Sequence, residues 1–237
     1  GASGAVGREV VDYLLNSGQW SHISIVTRRR IDRWEKINNL ACEVKFILVE
    51  DLDILREPKE KMISTNKDLD FTGYNSVITT LGIRSSVGEE RFKKVDYTYV
   101  IYSASLCDKF SIPHFSNVTT ASANSKSCFM YLRIKGETED KLREMGIKSL
   151  SLFRPGVITD RDNDFNCNEC LAKYISMVCC CLMSRVECKK LAAAIAYDAT
   201  LKCNKDNESN GVYKVYENAE IVKLGDESLR VNMKKIK

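Results

Sequence analysis

Long hydrophobic runs are missing from this sequence of 237 residues. The longest mainly apolar run, Ile175 to Met183, covers nine residues. A helix needs about 20 residues to cross a bilayer, so we expect no transmembrane helix. The first residues also lack a basic stretch followed by an apolar one, so we see no signal peptide from Gly1 onward.

A concentration of one charge sign is missing as well. The 36 basic and 32 acidic side chains are scattered along the chain and leave a formal net charge of +4. Such a pattern gives no concentrated field for phosphate backbones. We therefore do not expect a nucleic acid as partner.

The cysteines lack the spacing of a zinc site. Six of the ten cysteines cluster at Cys167, Cys170, Cys179 to Cys181 and Cys188, but only one Cys-x-x-Cys pair is present. A tetrahedral site needs a second pair, so we predict no metal and interpret Cys179 to Cys181 as small apolar side chains on a buried helix. Clustered free thiols favour a reducing compartment, and we expect the cytoplasm.

Short apolar strands alternate with amphipathic helices along the chain. This order predicts an α/β fold, with a doubly wound, Rossmann-like parallel sheet and helices on both faces. We predict helices at the start of the chain up to Gly18, at Glu89 to Phe110, at Phe129 to Met145 and at Glu187 to Leu201. The predicted strands are His22 to Val26, Val44 to Val49, Ser76 to Thr80, His114 to Val118, Ser149 to Phe153 and Val212 to Tyr216.

We expect one NAD(P)-binding domain over residues 1–237, in which residues 156–237 contribute a short substrate-facing lobe. In doubly wound sheets of this kind the first strand comes immediately before the glycine turn, and no such strand precedes Gly1. We therefore expect the chain to be a fragment, or the product of an incomplete gene model, that lacks its first strand.

The chain opens on a glycine turn, GASGAVG. Gly1, Gly4 and Gly7 are three positions apart and directly precede a predicted helix. Small residues there let backbone N–H groups approach a pyrophosphate at the positive end of the helix. A glycine-rich helix start without a ligand is equally common, so the motif gains weight only from its surroundings.

Arginines follow the next predicted strand, in VTRRR. That position is about 20 residues after the glycines, where dinucleotide-binding proteins contact the adenosine ribose. The guanidinium groups of Arg28 and Arg29 suit a 2′-phosphate, which favours NADP(H) over NAD. A solvated basic loop is the alternative. Leu81 and Gly82, in ITTLG, are predicted to pass beneath the adenine side of the cofactor.

Tyr131 and Lys135 are four residues apart in YLRIK and therefore project from one helix face. A tyrosine beside an ammonium can act as an acid near neutral pH. Roughly one such pair is expected by chance in a chain this rich in both residues, so its location after the strand His114 to Val118 is what matters. Thr119, Thr120 and Ser122 leave that strand and can hold a substrate carbonyl, or else serve as turn residues.

Taken together, GASGAVG, RRR, TTLG, the TT before YLRIK, and FRPGVI resemble the atypical short-chain dehydrogenase/reductases. The nearest branch is the one that contains the Tat-interacting protein oxidoreductase, and VDYTYV and YLRIKGETE are the more specific pieces. The resemblance spans Gly1 to about Arg161.

The resemblance implies roles for individual residues. Tyr131 would be the proton donor and acceptor, and Lys135 would bind the nicotinamide ribose and lower the tyrosine pKa. Thr119 or Thr120 would stand where the superfamily usually has serine. The pyrophosphate would lie against Ser3, Gly4, Ala5 and Val6, the 2′-phosphate against Arg28 and Arg29, and the nicotinamide amide against backbone groups of Val157 and Ile158.

These residues predict an NADP-dependent oxidoreductase that moves hydride between nicotinamide and a carbonyl or alcohol. The alternative is an NADP(H)-binding regulatory protein that interacts with other proteins and turns over no substrate. Both functions need the same cofactor site, and a carbonyl substrate screen discriminates between them.

Overall fold

A computed structural model describes residues 1–34, 42–160, 184–204 and 212–235. The helices are α1 (Ala5–Ser17), α2 (Lys59–Thr65), α3 (Glu89–Lys93), α4 (Tyr99–Lys109), α5 (Met130–Glu144), α6 (Cys188–Asn204) and α7 (Asn218–Lys235). The strands are β1 (His22–Thr27), β2 (Glu43–Leu48), β3 (Ser76–Thr79), β4 (His114–Val118), β5 (Ser149–Arg154), β6 (Val157–Thr159), β7 (Arg185–Glu187) and β8 (Val212–Glu217).

All strand pairs of the described residues are parallel. The main sheet has the order β3-β4-β5-β8, while β1 pairs with β2 and β6 with β7. The predicted α/β fold is confirmed, and each of the six predicted strands is present within one or two residues of its predicted ends. Because the strands are parallel, the loops that carry the predicted site leave the same edge of the sheet.

The facing edges of β1 and β3 flank a cleft of about 600 Å³. Helix α1 contributes Val10 and Leu14 to its lining, and the Ser24 and Tyr74 hydroxyls hydrogen-bond at 2.5 Å beside it. The expectation of a strand before Gly1 concerns residues that the chain does not contain, and it stays a prediction.

Successive strand residues feed two cores on opposite faces of the sheet, as parallel strands with helices on both faces require. Phe115 and Leu152 belong to the core beneath α2, α4 and α5. Val118 and Phe153 belong to the core formed with α1 and α6. Helix α1 buries its apolar stripe and ends at Gly18, whose positive φ of 62° is the left-handed conformation that glycine adopts most easily.

The structure interrupts one of the predicted helices. The predicted helix Glu89 to Phe110 contains a π-helical turn, Lys94–Thr98, between α3 and α4. Residues 188–235, assigned to the substrate-facing lobe, include α6 and β8, which pack on α1 and pair with β5. Strand pairing with β5 depends on contacts distant in sequence, so local patterns do not reveal it. The substrate-facing role of residues 156–237 stays a prediction.

The predictions that the chain has no metal site and no transmembrane helix can be examined only in the described residues. Most of the cysteine cluster, Cys167 to Cys181, lies outside the described residues, whereas Cys188 is buried at the first position of α6. Within the described ranges, no group of side chains has the arrangement of a metal site. No described helix combines the length and the apolar character that crossing a membrane requires.

A buried polar cluster connects β4, α6 and β8. The Asp198 carboxylate accepts a hydrogen bond of 2.5 Å from Tyr216 and lies 3.5 Å from His114 Nε2. Burial alone would raise the pKa of Asp198, but His114, with smaller contributions from Ser151 and Tyr216, outweighs burial and holds that pKa below its ordinary value. The carboxylate therefore stabilises the folded chain in its charged form.

Replacing Asp198 with asparagine should lower the free energy of unfolding near neutral pH by roughly 1.5 to 3 kcal/mol, because a charged acceptor is lost from a buried cluster. A lowered folded-state pKa contributes stability that is present above the unfolded value of about 3.9 and is lost as the pH falls through the folded value. Urea unfolding between acid and neutral pH should therefore show a shallower acid decline for Asp198→Asn. Asp226→Asn, which removes a surface pair with Lys190, is the control, and an equal loss in both variants would contradict the assignment.

Candidate functional site

The glycine turn lies against the loop that follows β3. A Cβ atom on Gly1 would come within 2.4 Å of the Thr80 hydroxyl oxygen, and one on Gly7 within 2.1 Å of the Gly1 carbonyl oxygen. Neither position has room for a side chain. Glycine there lets the backbone of the turn pack directly against the neighbouring atoms. This packing brings GASGAVG and TTLG, which are about 75 residues apart, to one place.

The amino end of α1 remains open to solvent. Gly4 N–H donates to the Gly1 carbonyl at 3.0 Å, the Gly4 carbonyl accepts from Arg8 N–H at 2.9 Å, and Ser3 and Gly4 are both exposed. The first N–H groups of a helix have no intrahelical acceptor and carry partial positive charge. The predicted contact of this turn with a pyrophosphate stays a prediction.

Arg28 and Arg29 follow β1 and are exposed. The Thr27 hydroxyl donates to the Arg29 carbonyl at 3.0 Å, which bends the chain at the end of the strand. The predicted contact of Arg28 and Arg29 with a 2′-phosphate stays a prediction.

Lys135 is buried in α5 and pairs with a carboxylate that the sequence analysis did not single out. Its ammonium lies 2.7 Å from Asp96 Oδ1, and both side chains are almost fully buried. Burial alone would favour the neutral amine, but Asp96, followed by Tyr131 and Glu139, outweighs burial, and the pKa of Lys135 is raised. Lys135 is thus a fixed cation at neutral pH.

Gly82 lies directly beside this ion pair. A Cβ atom at Gly82 would be 3.4 Å from Asp96 Oδ1 and 4.0 Å from Lys135 Nζ. The neighbouring Leu81 is partly buried and packs on the core beneath α4. The structure therefore brings TTLG and YLRIK together at the carboxyl edge of the sheet.

Tyr131 lies in the first turn of α5, one turn before Lys135. Its ring is half-buried and packs against Phe92 of α3, with the ring centroids 5.6 Å apart. The α3 contact fixes the ring while leaving part of the side chain accessible. The predicted Tyr–Lys pair is thus on one face of a helix at the expected edge.

The structure separates the two threonines that the sequence analysis treated alike. The Thr119 hydroxyl is buried and lies 2.7 Å from Glu139 Oε1, and it also lies 3.3 Å from the Phe153 carbonyl oxygen. Glu139 in turn accepts two hydrogen bonds from Arg154, at 2.9 and 2.6 Å. The Thr119 hydroxyl is therefore engaged inside the protein, whereas Thr120, the next residue, is partly exposed.

Close packing on Gly136 positions the segment after β4. A Cβ atom at Gly136 would come within 2.1 Å of Ser125 N, so the segment lies directly on α5. Asn124 N–H donates to the Leu132 carbonyl at 3.1 Å, and Ala121 N–H donates to the Pro155 carbonyl at 2.9 Å. These bonds hold the segment between α5 and the end of β5.

Val157 and Ile158 form β6, which pairs with β7. Val157 N–H already donates to the Ser184 carbonyl at 3.0 Å, and the Ile158 side chain packs on the core around α1. The donor of Val157 is thus committed to the protein itself. The predicted contact of this segment with a nicotinamide amide stays a prediction.

No family model matches the chain. Protein HTATIP2 of Rattus norvegicus is 32% identical over 160 residues, which cover 67% of this chain and 60% of that protein. The mitochondrial protein FMP52 of Lodderomyces elongisporus is 27% identical over 165 residues, 69% of this chain and 67% of that protein. The chain therefore spans about 60% of the length of HTATIP2.

Solved structures support the fold. MoeE5, in complex with UDP-glucose and NAD, superposes with a TM-score of 0.61 over 96% of this chain and 79% of its own, at 12% identity. At this identity the similarity establishes the Rossmann fold alone.

The variant Gly136→Ala tests the packing of the segment on α5. Alanine normally stabilises a helix relative to glycine by about 1 kcal/mol, but here its methyl group would overlap the backbone of Ser125. We expect a loss of roughly 1 to 3 kcal/mol in urea unfolding and faster exchange of the Asn124 amide hydrogen. Asp140→Ala, at an exposed position of α5, should stay within about 0.5 kcal/mol, and a stabilised Gly136→Ala protein would contradict the packing.

Proposed function

We propose that this chain is an NADP(H)-dependent oxidoreductase. It would be a member of the atypical short-chain dehydrogenase/reductases, which belong to the NAD(P)-binding Rossmann superfamily. Its substrate is a small molecule with a carbonyl or an alcohol group. The observation that carries this proposal is the buried Lys135 ammonium one helical turn from the partly exposed Tyr131, beside Gly82 of the TTLG loop.

The residues at the amino end of α1 fit a dinucleotide. Ser3, Gly4, Ala5 and Val6 surround the open helix end, where backbone N–H groups receive a pyrophosphate. Gly1 and Gly7 have no room for a side chain, so no side chain from these positions keeps the pyrophosphate away from the backbone of the turn. Arg28 and Arg29 offer guanidinium groups to the 2′-phosphate that distinguishes NADP(H) from NAD(H).

The chemistry divides between cofactor and protein. NADPH, when bound, supplies a hydride to the carbonyl carbon. Tyr131 donates a proton to the carbonyl oxygen, so that the product is a neutral alcohol. Lys135 keeps its charge beside Tyr131 and supports the phenolate that proton transfer leaves. Thr120 orients the carbonyl oxygen, because the hydroxyl of Thr119 is engaged with Glu139.

We place this activity in the cytoplasm, because clustered free cysteines favour a reducing compartment. The similar FMP52 is named a mitochondrial protein, so fractionation of cells that produce the full-length protein must include mitochondria.

NADP(H)-dependent regulation without turnover is the competing function, and it needs the same glycine turn and arginines.

Replacing Tyr131 with phenylalanine removes the proton donor but keeps the ring that packs on Phe92. We expect kcat for carbonyl-dependent NADPH oxidation to fall at least about 100-fold, with NADPH affinity changed only a few-fold. Tyr102→Phe, a half-buried tyrosine of α4, serves as the matched control. Undiminished turnover in Tyr131→Phe would refute the catalytic assignment. Tight NADPH binding by the parent protein, with no turnover across a broad carbonyl panel, would favour the regulatory function.

A double variant, Arg28→Ala with Arg29→Ala, tests the choice of cofactor. Loss of charge-assisted hydrogen bonds to the 2′-phosphate should weaken NADPH binding roughly 10- to 100-fold and leave NADH binding unchanged. Calorimetric titration of both cofactors measures the ratio. Arg33→Ala removes a neighbouring exposed arginine that pairs with Asp12 and should change neither affinity. A parent protein that binds NADH as tightly as NADPH would rule out the preference.

A further inference from the structure

The arginines after β1 lie on a short loop, residues 28–33, that is attached to the protein at both ends. At its start, the buried Thr27 accepts a hydrogen bond of 3.0 Å from Val49 N–H with its carbonyl oxygen and donates to the Arg29 carbonyl with its hydroxyl. At its end, a 3₁₀ turn buries Trp34, which is 3% exposed, in the core formed with α1 and α6. Between these points the arginines are exposed.

Asp12 of α1 holds the second end of this arginine loop. Its Oδ1 atom accepts a hydrogen bond of 2.6 Å from the Trp34 indole N–H, and its other oxygen pairs with Arg33. A buried indole N–H usually has an acceptor, and here the only indole nitrogen is a donor and Asp12 is its partner. The Arg33 side chain is 47% exposed, and exposed ion pairs contribute little to stability. The bond to Trp34 is therefore the main attachment.

The helix that carries Asp12 also carries the glycine turn. Asp12 lies seven residues after Ala5, the first residue of α1, which is about two helical turns from the proposed pyrophosphate contacts. One helix thus connects those contacts with the arginine loop. A dinucleotide that touches both places requires a fixed distance between them.

The order of the arginine loop affects which cofactor binds more tightly. A loop attached at one end samples many conformations, and that freedom is lost when a ligand holds the loop. A loop that is already attached at both ends loses less freedom, so a ligand that uses the loop binds more tightly. NADH has no 2′-phosphate for the arginines to contact. The attachment therefore acts on the preference between the cofactors more than on cofactor binding in general.

We propose that Asp12 is a positioning residue for cofactor preference, which binds the Trp34 indole and so holds the arginine loop where Arg28 and Arg29 can receive a 2′-phosphate. This inference rests on the proposed function for its effect on NADPH binding, whereas the attachment of the loop exists in the protein without any ligand. Asp12 acts through Trp34 and touches no cofactor in this role.

The first test measures the motion of the arginine loop in the unliganded protein. Nitrogen-15 relaxation gives backbone order parameters for Arg28 and Arg29. We expect about 0.85 in the parent protein, as in rigid backbone, and values lower by at least about 0.2 in Asp12→Ala, where the indole has lost its acceptor. Asp12→Asn keeps an amide oxygen that can accept from the indole and should stay near the parent. A smaller decrease in Asp12→Ala, or none, would overturn the proposal.

Arg33→Ala is the matched control, because it removes the exposed partner of Asp12 and leaves the bond to Trp34 in place. Its order parameters at Arg28 and Arg29 should equal those of the parent. Should Asp12→Ala fail to fold, Trp34→Phe replaces it, because phenylalanine keeps an aromatic ring in the core and lacks the indole donor. Order parameters in Trp34→Phe equal to those of the parent would then contradict the role of Asp12.

The second test compares cofactor affinities by calorimetric titration. In Asp12→Ala we expect NADPH binding to weaken about 5- to 10-fold and NADH binding to change less than about twofold, because only the 2′-phosphate uses the arginine loop. Asp12→Asn and Arg33→Ala should keep the parent's ratio of the two affinities. Equal weakening of both cofactors in Asp12→Ala indicates a general loss of structure and counts against the proposal. If the parent protein has no preference for NADPH, the proposed NADP(H) dependence fails, and the order parameters still decide whether Asp12 holds the loop.

Discussion

Parallel strand pairing determines where everything else in this protein lies. The four strands of the main sheet run in one direction, so the loops after β3, β4 and β5 leave its carboxyl edge together. Helices α3 and α5 return along the face of the sheet and bring Phe92 and Tyr131 into contact above that edge. Three sequence segments that are 35 or more residues apart meet there only because the backbone ladder aligns them. The candidate site lies at this edge because parallel strands place the loops that follow them on the same side of the sheet.

Three buried carboxylates each have a specific partner. Asp96 pairs with Lys135, Glu139 with Arg154, and Asp198 accepts from Tyr216. Removing one member of such a pair costs more than the pair itself contributes, because the remaining charge stays buried without compensation. This arrangement makes the positions of these side chains well defined, since alternatives would expose an unpaired charge to the apolar interior. A defined position is what a proton-transferring residue and its neighbouring cation require.

Two glycines allow backbone segments to pack in direct contact. Gly7 and Gly136 lie at contacts where a methyl group would overlap backbone atoms of another segment. The first contact places the start of α1 against the chain's opening turn, and the second places the segment after β4 on α5. Both contacts bring backbone N–H groups and hydroxyls to the carboxyl edge of the sheet. The backbone contacts at these glycines and the buried charged pairs together position the residues of the candidate site.

The sequence by itself determined the fold class, the strands and the segments that carry the site. Strand and helix periodicity are local, and so are the glycine turn, the arginines after β1 and the Tyr–Lys spacing; each was therefore readable from a few neighbouring residues. Only the tertiary structure decided that Thr119 turns toward Glu139 and that Val157 N–H is committed to Ser184. Only the tertiary structure revealed Asp96 as the partner of Lys135, although VDYTYV had already stood out as a specific piece of sequence. The partners in these pairs are 20 to 39 residues apart, and no local pattern specifies which of several hydroxyls, amides or carboxylates meets which. That choice is made when the whole sheet assembles and each buried polar group takes the partner within its reach.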